Sequence, residues 1–284
     1  MWKMQAFLGC DKPYETADTV IFGAPFDSTT SYRPGTRFAS RTMRAESYAL
    51  ETYSPYLDAD VEDLAVHDSG DLELCFGDTK IALQAIEDKA ATILADGKRP
   101  VMIGGEHLVT LGAVRAAAKH YPDLHVIHFD AHTDLREDYL GVALSHAAVM
   151  RRVWDILGDG RICQFGIRSG LKEEFEWGKV HTNLHKYNFD GLGDAVRSLA
   201  EKPVYLTIDL DVLDPSVFPG TGTPEPGGVS FMELLEAVHA VCKPLNIVAC
   251  DINELSPVYD QSGIATAAAL KILRELLIAV SQRQ

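Results

Sequence analysis

Val126-Ile127-His128-Phe129-Asp130-Ala131-His132-Thr133-Asp134 is the segment on which the reading of this chain turns. An apolar run with strand character ends at Phe129, and Asp, His and Asp follow at every second position. In extended chain, side chains at i, i+2 and i+4 share a face, so Asp130, His132 and Asp134 aim at one point beyond a strand end. Val204-Tyr205-Leu206-Thr207-Ile208 followed by Asp209-Leu210-Asp211 repeats the arrangement, and Val101-Met102-Ile103 leads into Gly104-Gly105-Glu106-His107. A single Asp after a strand ordinarily caps a helix or makes a turn, the reading given to Asp68, Asp71 and Asp251. Lone histidines such as His120, His125, His128 and His239 read likewise as hydrogen-bonded structural residues. Asp130, His132 and Asp134 cannot all cap one helix, and burying that much negative charge is prohibitive unless cations compensate it. His107 and His132 with Asp130, Asp134, Asp209 and Asp211 make a set large enough for two divalent metals.

The ligand types select among metals. Zinc favours Cys and His in tetrahedral sites, whereas oxygen-rich sets with some imidazole suit Mn²⁺. No cysteine lies in these motifs, so a Mn²⁺ pair is the expectation. Two ions about 4 Å apart can share a water and lower its pKa from ~15.7 toward ~7, which makes hydroxide available at neutral pH.

Outward from this segment, short Val- and Ile-rich runs recur: Val20-Ile21-Phe22, Ala65-Val66-His67, Val101–Ile103, Val126–Phe129, Ile162–Phe165, Val180-His181, Val204–Ile208 and Ile247-Val248-Ala249. Between most of them lie segments with helical apolar spacing. Ile81, Ala85, Ile86, Ala90, Ile93 and Leu94 form one stripe, and Leu108, Leu111 and Val114 begin another. Phe231, Leu234, Leu235 and Val238 form a third, with Ser230 and Glu233 as a capping box. A last helix spans about 263–279. Strand–helix alternation over nearly the whole length predicts an α/β fold: three layers, α/β/α, with a mostly parallel central sheet of about eight strands. Ligand sites in such sheets lie outside the carboxyl ends of the strands, where every acidic motif falls. Two long polar loops, Thr29–Thr36 and Pro215–Gly228, belong to the same edge.

The 284 residues are 46% hydrophobic and carry a net charge of −15, which argues against nucleic acid and anionic membrane surfaces as partners and suits a cationic substrate. The 5 cysteines form no C-x-x-C pair, Met1-Trp2-Lys3-Met4-Gln5 has no signal-peptide character, and no segment is long enough to span a bilayer. A cytoplasmic protein with reduced thiols is the expectation, with Cys163 and Cys250 in the core.

The chain resembles the ureohydrolases, the arginase and agmatinase family, in five blocks that occur in family order. These are Gly104–His107, Phe129–Asp134, Asp209–Pro215, Pro224-Glu225-Pro226-Gly227-Gly228 and Asp251-Ile252-Asn253-Glu254-Leu255-Ser256-Pro257. The resemblance implies a single domain over residues 1–284 with the arginase-like fold and two Mn²⁺ per subunit. His107 and Asp134 would serve one ion, His132 and Asp211 the other, with Asp130 and Asp209 bridging. Glu254 would pair with the substrate guanidinium, His146 would pass a proton to the leaving amine, and Asp134 would help hold the tetrahedral intermediate formed by hydroxide attack. A homo-oligomer, trimer or hexamer, is implied as well. The loop Leu135–His146 lacks the arginase pattern and looks like that of bacterial agmatinases, as do Phe26–Thr30 and Tyr32–Arg37. Agmatine is therefore the preferred substrate, with Glu137 and Asp138 toward its terminal ammonium. Arg136 keeps guanidinobutyrate and related guanidino acids open, and arginine and formiminoglutamate remain alternatives. From other classes, a binuclear phosphohydrolase needs cationic groups that these motifs lack, and an inactive metal-holding assembly protein would not need both Glu254 and His146.

Overall fold

A computed structural model describes residues 6–282; the Met1–Gln5 reading lies outside the described residues. In chain order the elements are β1 (Thr19–Gly23), α1 (Ala39–Glu46), the short strands β2 (Tyr53–Ser54) and β3 (Ala59–Asp60), β4 (Val66–Asp71), α2 (Thr79–Ala95), β5 (Arg99–Ile103), α3 (Thr110–His120) and β6 (His125–Phe129). Then follow α4 (Val149–Leu157), β7 (Ile162–Ile167), α5 (Lys172–His181), β8 (Asn183–Lys186), α6 (Leu192–Ser198), β9 (Pro203–Asp209), α7 (Phe231–Cys242), β10 (Asn246–Asn253) and α8 (Ile264–Ser281). Eight strands form one sheet in the order β4-β1-β5-β10-β9-β6-β7-β8. Every pairing in it is parallel.

The sheet is buried on both faces, which is why its central strands read as continuous apolar runs. Alternation within each strand sends side chains to opposite layers. Ile21, Ile103, Phe129, Ile208 and Ile252 pack with α1, α7 and α8, whereas Val20, Met102, Val126 and Tyr205 pack with α2, α3 and α4. The Ser230/Glu233 capping box starts α7 as expected. Two details differ from the sequence reading. Val180-His181 is the last turn of α5, with Val180 exposed, and the edge strand β8 begins just beyond it. An edge strand in which Leu184 is the one apolar residue carries no apolar run to announce it. On α2 the buried stripe runs through Ala82, Leu83, Ile86, Ala90 and Ile93, while Ile81 faces solvent.

Asp68 makes a local turn as read, accepting from the Gly70 N–H at 2.9 Å, but neither it nor Asp71 caps a helix. They lie in β4 and clasp the buried Arg44 of α1: Arg44 Nε and Nη2 donate to the two Asp68 oxygens at 2.7 and 2.9 Å, and Nη1 reaches Asp71. His239, by contrast, is structural as read, with Nε2 3.1 Å from Glu275 Oε2.

The topology places the chemistry. Strands β5, β10, β9 and β6 are consecutive across the middle of the sheet. Their carboxyl ends deliver His107, Glu254, Asp209 with Asp211, and Asp130 through Asp134 to one crevice. Among the described residues no helix is long and apolar enough to cross a membrane.

Removing one partner of a buried ion pair strands the other charges. Arg44→Met, which leaves Asp68 and Asp71 facing each other, is expected to lower unfolding stability by about 3 kcal/mol. The check is a shift in urea midpoint at constant m-value.

Candidate metal centre

His107 follows β5 at the start of a helical turn, and its backbone must come very close to two other segments. A Cβ on Gly104 would lie 1.8 Å from Asn253 Oδ1, and one on Gly105 would lie 2.0 Å from the Phe26 carbonyl oxygen. Only glycines fit before Glu106-His107. The imidazole is fully buried, and its Nδ1 points at three carboxylates: Asp130 Oδ2 at 3.0 Å, Asp134 Oδ2 at 3.1 Å and Asp209 Oδ2 at 3.3 Å. Its Nε2 meets Thr207 Oγ1 at 2.9 Å. A second cluster adjoins the first: His132 Nδ1 lies 3.0 Å from Asp211 Oδ2 and 3.4 Å from Asp130 Oδ1. Asp130 belongs to both clusters, which is where a bridging ligand has to stand. All six sequence-predicted ligands are therefore brought together.

Burial and mutual repulsion disturb these groups. Asp134 is pushed up to about 7 by burial and by neighbouring Asp130. Asp209 is driven well above the usual carboxylate range by burial, with Asp211 and Asp130 adding to it. Burial works against the charged form of His107 and His132, yet the surrounding carboxylates hold both well above an ordinary histidine. A cluster that keeps protons this tightly is one that cations would relieve. The fit to divalent metal rests on His107 Nδ1, a buried nitrogen without a hydrogen-bond partner, facing an oxygen-rich donor set.

Backbone conformation helps aim the ligands. Asp134 (φ 52°) and Glu254 (φ 65°) both occupy the left-handed region, rarely adopted by residues other than glycine. Asp209 caps the turn after β9, accepting from the Asp211 N–H at 2.9 Å.

Arg168, which the sequence reading missed, stitches the Asp209–Asp211 turn to the Pro215–Gly228 loop. Its Nη2 donates to the carbonyls of Asp211 and Glu225, both at 2.7 Å, and its Nη1 to that of Val212 at 3.1 Å. Its position just past the carboxyl end of β7 was the available signal. Asp251 is a further correction. It is no cap but a wholly buried carboxyl inside β10, receiving Tyr205 Oη at 2.5 Å and Asn253 Nδ2 at 2.7 Å.

Above the ligands lies a cavity of about 290 Å³ whose wall includes Ser31, His132, Asp134, Arg136, Tyr139, His146, Ser169, Glu174 and Thr223. The Thr29–Ser31 loop closes one side, tied down by buried Glu106, which accepts from Thr29 N–H at 2.8 Å and Thr30 Oγ1 at 3.1 Å. Thr29 Oγ1 accepts from the His146 N–H at 3.0 Å, and the Ser31 N–H donates to His146 Nε2 at 3.1 Å. A neutral imidazole that accepts at Nε2 carries its proton on Nδ1. That Nδ1 lies 4.0 Å from Glu254 Oε1. Burial, with His132 and His107 nearby, lowers His146 to about 4, so it is neutral near pH 7. Glu254 itself is buried beneath the cavity wall and accepts from the His107 N–H at 2.8 Å.

The tail residues fall differently. Arg136 is on the wall, but its Nε lies 3.6 Å from Glu174 Oε2, and its guanidinium sits 5.2 Å from the Tyr139 ring centre. Glu137 and Asp138 point outward to solvent. Asp138 Oδ1 closes a turn by accepting from the Gly141 N–H at 2.8 Å.

Fold and site together define a metal-dependent hydrolase of the α/β/α type. The Arginase family model matches residues 17–279. An agmatinase of Bacillus anthracis is 46% identical over 277 residues, covering 96% of each chain. A Clostridium difficile structure provisionally assigned as an agmatinase is 53% identical, with a TM-score of 0.91, and covers 95% of this chain and 99% of that one. The mitochondrial guanidino acid hydrolase of Homo sapiens is 33% identical over 289 residues, covering 94% of this chain and 79% of that protein. The chain belongs to the arginase family. It is a binuclear metal hydrolase acting on linear amidines, and it is similar to the bacterial agmatinases.

Because Asp130 contributes to both clusters, Asp130→Asn is expected to abolish metal retention and turnover together, by about a hundredfold or more in each. Metal content after dialysis, measured beside activity, checks this; an active, metal-replete variant would remove Asp130 from the bridging position.

Proposed function

We propose that this protein hydrolyses agmatine to putrescine and urea with two Mn²⁺ per subunit. The observation that carries the choice of substrate is the pairing of Arg136 with Glu174. Among the described residues Arg136 is the one arginine or lysine on the cavity wall, and its charge is already answered. With Arg136 engaged, no arginine or lysine among the described residues of the wall is free to take a carboxylate, which favours a tail ending in ammonium over one ending in carboxylate. The same economy disfavours a phosphohydrolase, which needs unpaired cations around phosphate.

His107 and Asp134 would hold one ion and His132 with Asp211 the other, Asp130 and Asp209 serving both. The ions would supply acidified water, and hence hydroxide near neutral pH, to attack the guanidinium carbon. Glu254 orients that guanidinium, since a carboxylate complements its planar N–H edge. Asp134 would help hold the tetrahedral species. As the C–N bond breaks, His146 gives the proton on Nδ1 to the departing nitrogen and stays neutral by taking one at Nε2 from the Ser31 hydroxyl, 2.9 Å away; the proton that the tetrahedral species loses in becoming urea returns to Ser31 through solvent, and putrescine is released. We place the protein in the cytoplasm, in keeping with its free thiols at Cys10, Cys75, Cys163, Cys242 and Cys250. We also read it as a homo-oligomer, for which exposed Tyr32, Phe38 and Val258 offer apolar surface.

A second reading, a guanidino-acid hydrolase, is favoured by one observation, the presence of Arg136 on the wall at all. Urea release from agmatine, arginine and 4-guanidinobutyrate by the Mn²⁺-loaded protein separates the two. The highest kcat/KM is expected for agmatine, and a preference for 4-guanidinobutyrate would overturn the proposal. Glu174→Gln, which frees Arg136, should shift the agmatine to 4-guanidinobutyrate ratio by about tenfold or more toward the acid, the scale of one hydrogen bond to a charged group. His146→Ala should bind metal normally while kcat falls about 10²–10⁴-fold; an unchanged kcat would take His146 out of proton transfer.

A further inference from the structure

His128 and Gln164 are wholly buried polar residues at the metal centre that neither the ligand set nor the proposed mechanism uses. They are cross-strand neighbours in the parallel pairing of β6 with β7. Two residues before Asp130 on an extended chain, His128 projects to the same side as that carboxylate, and its Nε2 lies 2.7 Å from Asp130 Oδ2. On its other edge, Nδ1 lies 3.1 Å from Gln164 Nε2.

The hydrogens in this chain follow from one fixed point. Gln164 Nε2 is 2.8 Å from the Thr133 carbonyl oxygen, which can only accept. The amide must therefore present its NH₂ group there, with Oε1 turned to Thr182 Oγ1 at 3.0 Å. The second N–H of that NH₂ points at His128 Nδ1, making Nδ1 the acceptor. A neutral imidazole that accepts at Nδ1 carries its proton on Nε2, so it donates to Asp130 Oδ2. That oxygen is the one 3.0 Å from His107 Nδ1.

We propose that Gln164 fixes the tautomer of His128, and that His128 acts as a positioning residue which donates to Asp130 and holds its carboxylate in the orientation that serves both metals. His128 is then not itself a ligand, although its nitrogen lies within the same group as His107, Asp130 and Asp134. Partners of this kind restrict a ligand's rotation and tune its basicity, and losing one typically costs about 10–100-fold in metal affinity. The inference rests on the metal centre alone and is independent of which guanidino compound is the substrate.

The test is Mn²⁺ binding to full-length protein, stripped and titrated calorimetrically, with no substrate present. Gln164→Glu keeps the shape but offers an acceptor to Nδ1, so His128 either gives up its Nε2 proton or becomes an imidazolium whose charge opposes the cations, and either outcome weakens the metal centre. Its Mn²⁺ affinity is expected to fall about 10–100-fold with two ions still bound at saturation. His128→Phe, which removes the donor and keeps a ring, should show the same loss, and it carries the test if the glutamate variant does not fold. In the double variant the Gln164 change should cost nothing further, because it acts only through His128. Unchanged Mn²⁺ affinity in His128→Phe would overturn the proposal. So would a fall to one bound ion in that variant, which would make His128 a ligand. A Gln164→Glu effect that persists without His128 would overturn the tautomer argument.

Discussion

Everything at the sheet's crevice answers to the carboxylates gathered around His107 Nδ1. Three of them come within 3.0–3.3 Å of that nitrogen, and a fourth, Asp211, reaches the adjoining His132. Carboxylates so close in a buried place repel one another, and the raised affinity for protons at Asp134 and Asp209 is the visible effect. The fold accepts this because the four central strands end together, so ordinary strand packing pays for the convergence. Divalent cations then turn a liability into a binding site.

Convergence alone would not aim the side chains. Two glycines let the β5 loop lie against Asn253 and Phe26, and two left-handed residues, Asp134 and Glu254, turn the chain at the metal edge. Arg168 fastens the Asp211 turn to the Pro215–Gly228 loop through backbone carbonyls, adding a positive charge near the acids without occupying the crevice. Glu106 does comparable work for the Thr29–Ser31 loop, which in turn orients His146. These devices cost conformational freedom at the site while the apolar layers on both sides of the sheet hold it in place.

The cluster of His and Asp side chains was legible in the sequence because period-two spacing after an apolar run is a local signal that survives into the fold. Seven of the eight runs named as strands lie in strands for the same reason; Val180-His181 does not, since a polar edge strand has little to bury. Asp251 looked like any turn-forming acid, and only the pairing of β9 with β10 brings Tyr205 to it, beside Asn253 two residues on in the same strand. Glu137 and Asp138 were set toward the substrate tail by resemblance, which does not give the shape of the loop that carries them. Paired hydrogen bonds between Tyr139 and Val142 instead fold it into a tight turn that leaves both acids outside. Glu174, forty residues after Asp134, has no sequence signal linking it to Arg136, because their meeting depends on where the loop after β6 comes against the first turn of α5.

Three buried imidazoles show a common logic in which one ring nitrogen is committed to a neutral partner and the other is thereby assigned its work. For His107, Nε2 meets the Thr207 hydroxyl, whose own surroundings include the Asn253 amide at 3.4 Å and the Asp251 carboxyl. With Nε2 so engaged, Nδ1 is the nitrogen left to face the acids and the cations they would hold. For His146, the Ser31 N–H holds Nε2 as an acceptor and leaves a proton on Nδ1, facing Glu254. For His128, Gln164 makes the same choice on behalf of Asp130. None of these partners is charged at the contact, so each imidazole's role is set by hydrogen-bond direction. The ligand, proton-donor and positioning roles proposed for these three residues can therefore share one crevice without exchange.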